Sequence, residues 1–296
     1  MGWGRGAPAR GDGAPFSPPF HGSLGLLQVV AGFRMRLFLL LFLLVPFQAL
    51  AQADTRLHAM QTGDANRGWE AVGRLNMHGV GFCTATLIAP DRVLTAAHCL
   101  FDHRTGQQIP PGRLQFLAGW RTGRAEAIRG ISRVAVWPEF DFAVGAEMAN
   151  VPRDLAVLEL DQPVRTTSIH PFGVADEPVR AGDAVAVVSY ARDRAEAPSI
   201  QETCHVLDQR RDGVSVFSCD IDFGSSGSPV FAVRDGEIQV VSVISALAQG
   251  QERPISLGMR LGGRVAALEQ ALDQGVSGVL SSQPQGARST ARFLRP

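Results

Sequence analysis

Three short stretches carry side chains that together suit acyl-transfer chemistry. "VLTAAHCL" sets His98 just after a buried apolar run and beside Cys99. "RDLAVLEL" sets Asp154 at the mouth of an apolar strand, and "DFGSSGSPVF" sets Ser226 between Gly224 and Gly227. Hydrolysing an amide with a serine needs a base for the hydroxyl proton, an acid to orient that base, and backbone donors for the oxyanion. His98, Asp154 and Ser226 meet the side-chain requirements. The two glycines let the chain fold sharply and aim the amides of Gly224 and Ser226 at one point.

Competing residues fit less well. Ser225 and Ser228 flank Ser226, but neither has glycine two positions before it and one after. Asp102 lies in the polar run "DHRTG", which reads as a surface turn. His58, His78, His103, His170 and His205 show neither HExxH nor Cys/His ligand spacing, so no metal is expected. No glycine-rich nucleotide motif is present, and no cofactor is expected. Trp69, Trp120 and Trp137 are read as core or barrel-end fillers.

The 296-residue chain has formal net charge zero, and nothing in that balance calls for nucleic acid. The segment "MRLFLLLFLLVPFQALAQA" combines a basic start at Arg36, an apolar core from Leu37 to Val45, and small residues at Ala49, Ala51 and Ala53. That is the pattern of a secretory signal over residues 35–53. Its apolar core is well short of the roughly 20 residues a spanning helix needs, so no membrane association is expected after cleavage. Residues 1–34 read as over-called sequence upstream of a true start at Met35. Cys83, Cys99, Cys204 and Cys219 follow, an even number in an exported chain. Three pairings exist, and sequence order favours Cys83 with Cys99 and Cys204 with Cys219.

Alternating or continuous apolar runs separated by turn residues dominate from Trp69 to Leu261, which means strands. "AVGRL", "GFCTATLIAP", "RVLTA", "RLQFLAG", "AEAIRGISRVAVWP" and "LAVLEL" fill the first half. "DAVAVVSY", "SIQETCHVL", "VSVFSCD", "SPVFAV", "EIQVVSVIS" and "SLGMRL" fill the second. The expected fold is all-β, two six-stranded antiparallel barrels packed side by side. A short N-terminal segment (54–68) precedes the first barrel (69–162), and a linker (163–182) leads to the second (183–276). "GRVAALEQALDQG" has helical spacing at Val265, Leu268 and Leu272 and closes on Gly275, giving one C-terminal helix. Residues 277–296 read as a loose tail.

"LTAAHC", "DLAVLEL" and "GSSGSPV" resemble the trypsin/chymotrypsin clan of serine endopeptidases, closest to the bacterial-type branch that includes glutamyl endopeptidases. The resemblance implies Ser226 as nucleophile, His98 as general base and then acid, Asp154 as the group fixing the histidine tautomer, and the Gly224 and Ser226 amides as oxyanion hole. It implies action on a peptide or protein substrate, and with the signal pattern the expectation is a secreted or periplasmic enzyme, taken to be a monomer. A catalytically silent binding protein on the same scaffold is the alternative. Counting back from Ser226 places Asp220 where trypsin-like enzymes hold the acid that selects a basic residue before the cut, with Asp222 as a second candidate and Ser245 to Ala248 as the opposite wall. Glutamate preference is disfavoured, because Ile244, Ser245 and Ala246 stand where such enzymes place a histidine. Ser225 replaces the aspartate that trypsin-like enzymes pair with a freshly cut N-terminus. The expectation is therefore activity without that ammonium, the hydroxyls of Ser225 and Ser228 bonding neighbouring backbone instead.

Overall fold

A computed structural model of the protein describes residues 53–250 and 254–275. The upstream stretch 1–34, nearly all of the signal segment 35–53 and the tail 277–296 lie outside the described residues. A two-residue strand, β1 (His58–Ala59), opens the described chain. Strands β2 (Val72–Met77), β3 (Gly81–Ala89), β4 (Arg92–Thr95), β5 (Leu114–Ala118), β6 (Ala127–Val136) and β7 (Ala156–Leu160) follow. They close an antiparallel barrel in the order β2-β3-β4-β7-β6-β5. Leu75, Leu87, Leu94, Phe116, Val157 and Leu158 are buried in it, each leaving water for a gain of about 1.5–3 kcal/mol.

After the short strand β8 (Gly173–Val174), the second half supplies β9 (Ala184–Ala191), β10 (Arg194–Gln209), β11 (Val214–Phe217), β12 (Pro229–Arg234), β13 (Glu237–Gln249) and β14 (Pro254–Met259). The path β10-β11-β14-β13-β12-β9 is closed by β9 pairing back on β10, making a second six-stranded antiparallel barrel. Val185, Val187, Phe217, Val230 and Ile244 pack inside it. The fold is thus the two-barrel, all-β architecture of the sequence expectation.

Strand ends depart from the sequence reading where pairing rather than alternation decides. β10 begins at Arg194, ahead of the apolar run from Ser199, because a tight hairpin sets Arg194 opposite Ala191. β1 and β8 are too short to show a period, yet β1 adds to β10 and β8 pairs parallel with β13. The disulfides join Cys83 on β3 to Cys99 after β4, and Cys204 on β10 to Cys219 after β11.

The helix α1 (Arg264–Asp273) follows the second barrel but packs on the first, burying Val265, Leu268 and Leu272 in its core cluster. Arg92 on β4 donates to Asp273 at 2.6 Å. Arg264 lies 5.0 Å over the Trp137 ring and donates to the carbonyl of Pro152, two residues before Asp154. Trp69 contacts Phe172 and Phe231, whose rings are themselves 4.6 Å apart, filling a junction between the halves.

The two barrels approach each other tightly at Gly227. Its φ is +79°, and a Cβ there would lie 2.2 Å from Thr95 Oγ1 and 2.3 Å from the Thr84 carbonyl. Both atoms belong to a fixed contact, Thr95 Oγ1 donating to that carbonyl at 2.9 Å. Gly227→Ala is expected to lower stability by about 2–5 kcal/mol, summing left-handed strain and overpacking. Denaturant unfolding checks it, and a midpoint unchanged from wild type contradicts this packing.

Candidate active site

β4 ends at Thr95, and a single 3-10 turn, Ala97–Leu100, turns His98 out of the first barrel while the Cys83–Cys99 disulfide ties the turn to β3. A second such turn, Val151–Arg153, delivers Asp154 at the start of β7. β7 pairs with β4, setting Ala156 opposite Thr95, so the two turns lie side by side at one barrel end. His98 Nδ1 donates to Asp154 Oδ2 at 2.6 Å, and the His98 backbone N–H donates to Asp154 Oδ1 at 2.8 Å. The Asp154 side chain is 5% exposed. From the other barrel, Ser245 Oγ donates to Asp154 Oδ2 at 2.6 Å.

Ser226 lies in the turn between β11 and β12. Gly224 has φ of +101°, and a Cβ there would meet the Phe82 ring at 2.6 Å and Ala191 Cα at 3.0 Å, so only glycine fits. Thr84 on β3 anchors the turn from the first barrel. Its backbone N–H donates to the Ser226 carbonyl at 2.9 Å and its hydroxyl to the Gly224 carbonyl at 3.0 Å. Ser226, His98, Asp154 and Gly224 all line one cleft of about 680 Å³. A direct Ser226–His98 hydrogen bond is not among those of the described residues. Such bonds are often long before substrate binds.

Two opposing effects set the protonation of His98. Burial disfavours the imidazolium, but the charge of Asp154 and its hydrogen bond outweigh this and raise the histidine above its ordinary value. The imidazolium is thereby favoured next to a fixed carboxylate, which suits a group that must accept a proton and later return it. Nδ1 is committed to Asp154, so Nε2 is the nitrogen left for proton transfer.

The remaining sequence candidates divide. Asp222 and Ser245 line the cleft. Asp220 does not: it is exposed, and its backbone N–H donates to Gln201 Oε1 at 2.7 Å. Asp220, next to the bridged Cys219, is thus not among the described residues that line the cleft, whereas Asp222, the second candidate of the count, is. Ser245 serves Asp154 with its hydroxyl, a role the sequence did not suggest because the partner is 91 positions away. Asp102 forms a surface turn with Arg104, whose N–H donates to Asp102 Oδ1 at 2.8 Å. His103 in the same turn reaches the cleft, its ring 6.1 Å from that of His98 and 5.4 Å from Phe142. Cys83, His98 and Cys99 cluster closely enough to suggest metal ligands, but both sulfurs are committed to the disulfide and a single imidazole remains.

Of the two serines expected to bond backbone through their hydroxyls, Ser225 does so, donating to the Tyr190 carbonyl at 3.2 Å. Ser228 uses its main chain instead: its N–H donates to the Ser225 carbonyl and its carbonyl accepts from Ile244 N–H. Its buried hydroxyl makes no hydrogen bond among the described residues.

Two antiparallel barrels, with a histidine and a buried aspartate on one and a glycine-flanked serine on the other, define the class of two-barrel serine peptidases. A family model of the trypsin-like peptidase domain matches residues 83–241, more than half of the chain, and the protein belongs to that family. In fold it is similar to a solved structure described as a Glu endopeptidase in complex with MPD, with a TM-score of 0.56 and 17% sequence identity. That match covers 76% of this chain and 99% of the other.

The geometry around Asp154 sets both the pH dependence and the effect of its neighbours. The pH dependence of kcat/KM is expected to rise through an apparent pKa above the ordinary histidine value of about 6.5, since His98 must be unprotonated to act as base. Asp154→Asn should lower that pKa along with the rate, and an unshifted pKa in this variant contradicts the coupling. By the same linkage, the pair's contribution to stability is fully present below the ordinary histidine value and is lost as pH rises through the raised one. Ser245→Ala removes a hydrogen bond to a buried charge, about 1.5–3 kcal/mol. A kcat some 10- to 100-fold lower is expected, and a kcat equal to wild type shows that Asp154 does not depend on Ser245.

Proposed function

We propose that the protein is a secreted or periplasmic serine endopeptidase that cleaves peptide bonds through an acyl-enzyme. In this reading Ser226 Oγ attacks the carbonyl carbon while His98 Nε2 takes its proton. The developing oxyanion is held by the backbone amides of Gly224 and Ser226. His98 then returns the proton to the leaving amine, and water repeats the sequence in reverse to free the acid and regenerate Ser226. Asp154 fixes the histidine tautomer and stabilises the imidazolium throughout. The observation that carries the reading is the 2.6 Å contact from His98 Nδ1 to a buried Asp154 in the same cleft as Ser226.

Export is supported by the two disulfides and by the signal pattern over residues 35–53. No described helix is long and apolar enough to cross a membrane. The proposed substrate is a peptide or protein, taken by a single copy of the chain.

Selection before the cut is proposed to be weak. Ile221, Ile244, Ala246 and Leu247 give the cleft apolar surface, and Asp222 is the one acid besides Asp154 among the described lining residues. A lysine or arginine can lay an apolar stem along that wall with its charged tip toward Asp222, while Arg192, which lines the same cleft, opposes a cation and keeps the preference weak. The glutamate specificity named for the structural relative has less support, since Ile244 and Ala246 offer nothing to a carboxylate and Arg192 is the one arginine or lysine among the described lining residues. Peptide amides differing only at this residue provide the test. Fastest cleavage after Arg or Lys supports the role of Asp222. Fastest cleavage after Leu, Phe or Glu removes it.

A serine-directed phosphonofluoridate is expected to label wild type at Ser226 and to leave Ser226→Ala unlabelled. The variant should keep both disulfides and lose about 10⁴- to 10⁶-fold in turnover. Wild-type turnover in Ser226→Ala contradicts the assignment. Absence of both labelling and amide hydrolysis in wild type favours the silent binding protein.

A further inference from the structure

The turn that carries Ser226 needs an internal support, because its amides point usefully only while the turn keeps its shape. Beside the bonds from Thr84, part of that support comes from the tip of the β9–β10 hairpin. Arg192 N–H donates to the Phe223 carbonyl at 2.7 Å, and Ala191 packs under Gly224. Ser225, fully buried, donates its hydroxyl to the Tyr190 carbonyl at 3.2 Å and accepts from Asp222 N–H at 3.3 Å. One acceptor position on that hydroxyl remains, and a guanidinium fills it: Arg194 Nη2 donates to Ser225 Oγ at 3.3 Å.

Arg194 is held where it stands. Its Nη1 donates to the Ser189 carbonyl at 2.9 Å and to Ser189 Oγ at 3.0 Å, and its side chain is 14% exposed. Asp193 lies 3.7 Å from Nε. Burial lowers the guanidinium from its ordinary value, opposed by the charges of Asp193, Asp222 and Asp220. The charges of Asp220 and Asp222, the two acids that sequence counting assigned to substrate recognition, thus also favour a cation of the protein's own. Arginine suits this position because its planar fork spans several acceptors at once, which a lysine ammonium on one stem does not.

We propose that Arg194 is a positioning residue for the oxyanion-binding amides: its guanidinium, entering from the hairpin tip, clamps Ser225 and so fixes Gly224 and Ser226 on either side of it. An internal cation then does what an N-terminal ammonium does in trypsin-like enzymes that are switched on by cleavage, with a hydroxyl in place of the aspartate. The chain has its oxyanion loop ordered from the moment it folds. Asp222, engaged electrostatically by Arg194, keeps only a partial claim on a basic substrate, consistent with weak selection before the cut.

This inference rests on the proposed acyl-enzyme reading, and the experiment separates the two. The full exported chain is prepared as wild type, Arg194→Ala, Arg194→Lys and Ser225→Ala. Each is measured for kcat and KM on a peptide amide, for affinity toward a peptide boronic acid, and for amide hydrogen exchange at residues 222–228. Arg194→Ala is expected to lose about 10²- to 10³-fold in kcat, the usual effect of losing an oxyanion donor, with KM within threefold of wild type. Boronate affinity should fall in step with kcat, and exchange at 224–226 should speed at least tenfold. Arg194→Lys should recover part of the loss. Guanidinium ion at sub-denaturing concentration should restore kcat in Arg194→Ala but not in Ser225→Ala, a response that a purely structural defect does not give. If Arg194→Ala does not fold, Arg194→Lys and Ser225→Ala carry the same comparison. A folded Arg194→Ala with wild-type kcat and unchanged exchange overturns the proposal. So does activity confined to chains with a free amine at one particular start, measured on free and acetylated versions beginning between Asp54 and Trp69. A wild-type chain that neither labels nor hydrolyses sinks the acyl-enzyme reading instead, while the exchange comparison still reports on the clamp.

Discussion

A buried carboxylate that must find hydrogen-bond donors in place of water is the constraint on which the site depends. Asp154 is almost inaccessible and accepts from the backbone and ring of His98 in its own barrel and from Ser245 in the other. Removing such a group from water is costly unless donors replace its hydration. Those donors become available only when both barrels are formed and docked. Hydrogen-bond satisfaction of the Asp154 carboxylate, orientation of His98 and assembly of the two halves are thus one coupled condition. The supports run outward from there: the disulfide fixes the His98 turn, and Arg264 of α1 holds the carbonyl of Pro152 just ahead of Asp154. A helix at the far end of the chain thereby steadies a turn about a hundred positions earlier.

The second barrel contributes a strained turn where the first contributes a charged pair. Gly224 and Gly227 both have left-handed backbone, and both lie too close to neighbouring atoms for any side chain. Thr84 takes up the exposed main chain of this turn, donating to Ser226 and Gly224 while its own hydroxyl accepts from Tyr190 N–H. Burial pushes the Tyr190 phenol far above its ordinary value, and its hydroxyl donates to the Trp120 carbonyl at 2.8 Å. The chain's one tyrosine therefore stays neutral and links the hairpin under the turn to the first barrel. The turn is braced from the first barrel by Thr84 and from its own by Arg194 and Tyr190.

Local pattern explains which parts of this were legible in the sequence. Strands with alternating or continuous apolar runs declared themselves, as did the helix at Val265, Leu268 and Leu272. His98, Asp154 and Ser226 stood out because each sits in a short stretch whose neighbours already restrict its conformation. What alternation cannot carry was missed: the two-residue strands β1 and β8, and the early start of β10, depend on pairing partners distant in the chain. Ser245 and Arg194 were hidden for a related reason. A serine on a strand and an arginine in "YARDRAEA" look like ordinary surface chemistry until folding brings Asp154 and Ser225 to them. Asp220 illustrates the converse, since its position in a count carries no information about which side of the loop it faces, and it is exposed while Asp222 lines the cleft.

The central claim is that one serine, two backbone amides and the His98–Asp154 pair are already arranged around a common point. A crystal structure of the protein inhibited with a phosphonofluoridate tests this most directly. The account predicts phosphorus bonded to Ser226 Oγ, a phosphoryl oxygen within about 2.7–3.1 Å of both the Gly224 and Ser226 amide nitrogens, and Asp154 still accepting from His98 and Ser245. Phosphorus on Ser225, Ser228 or a histidine, or a phosphoryl oxygen turned to solvent away from both amides, contradicts it.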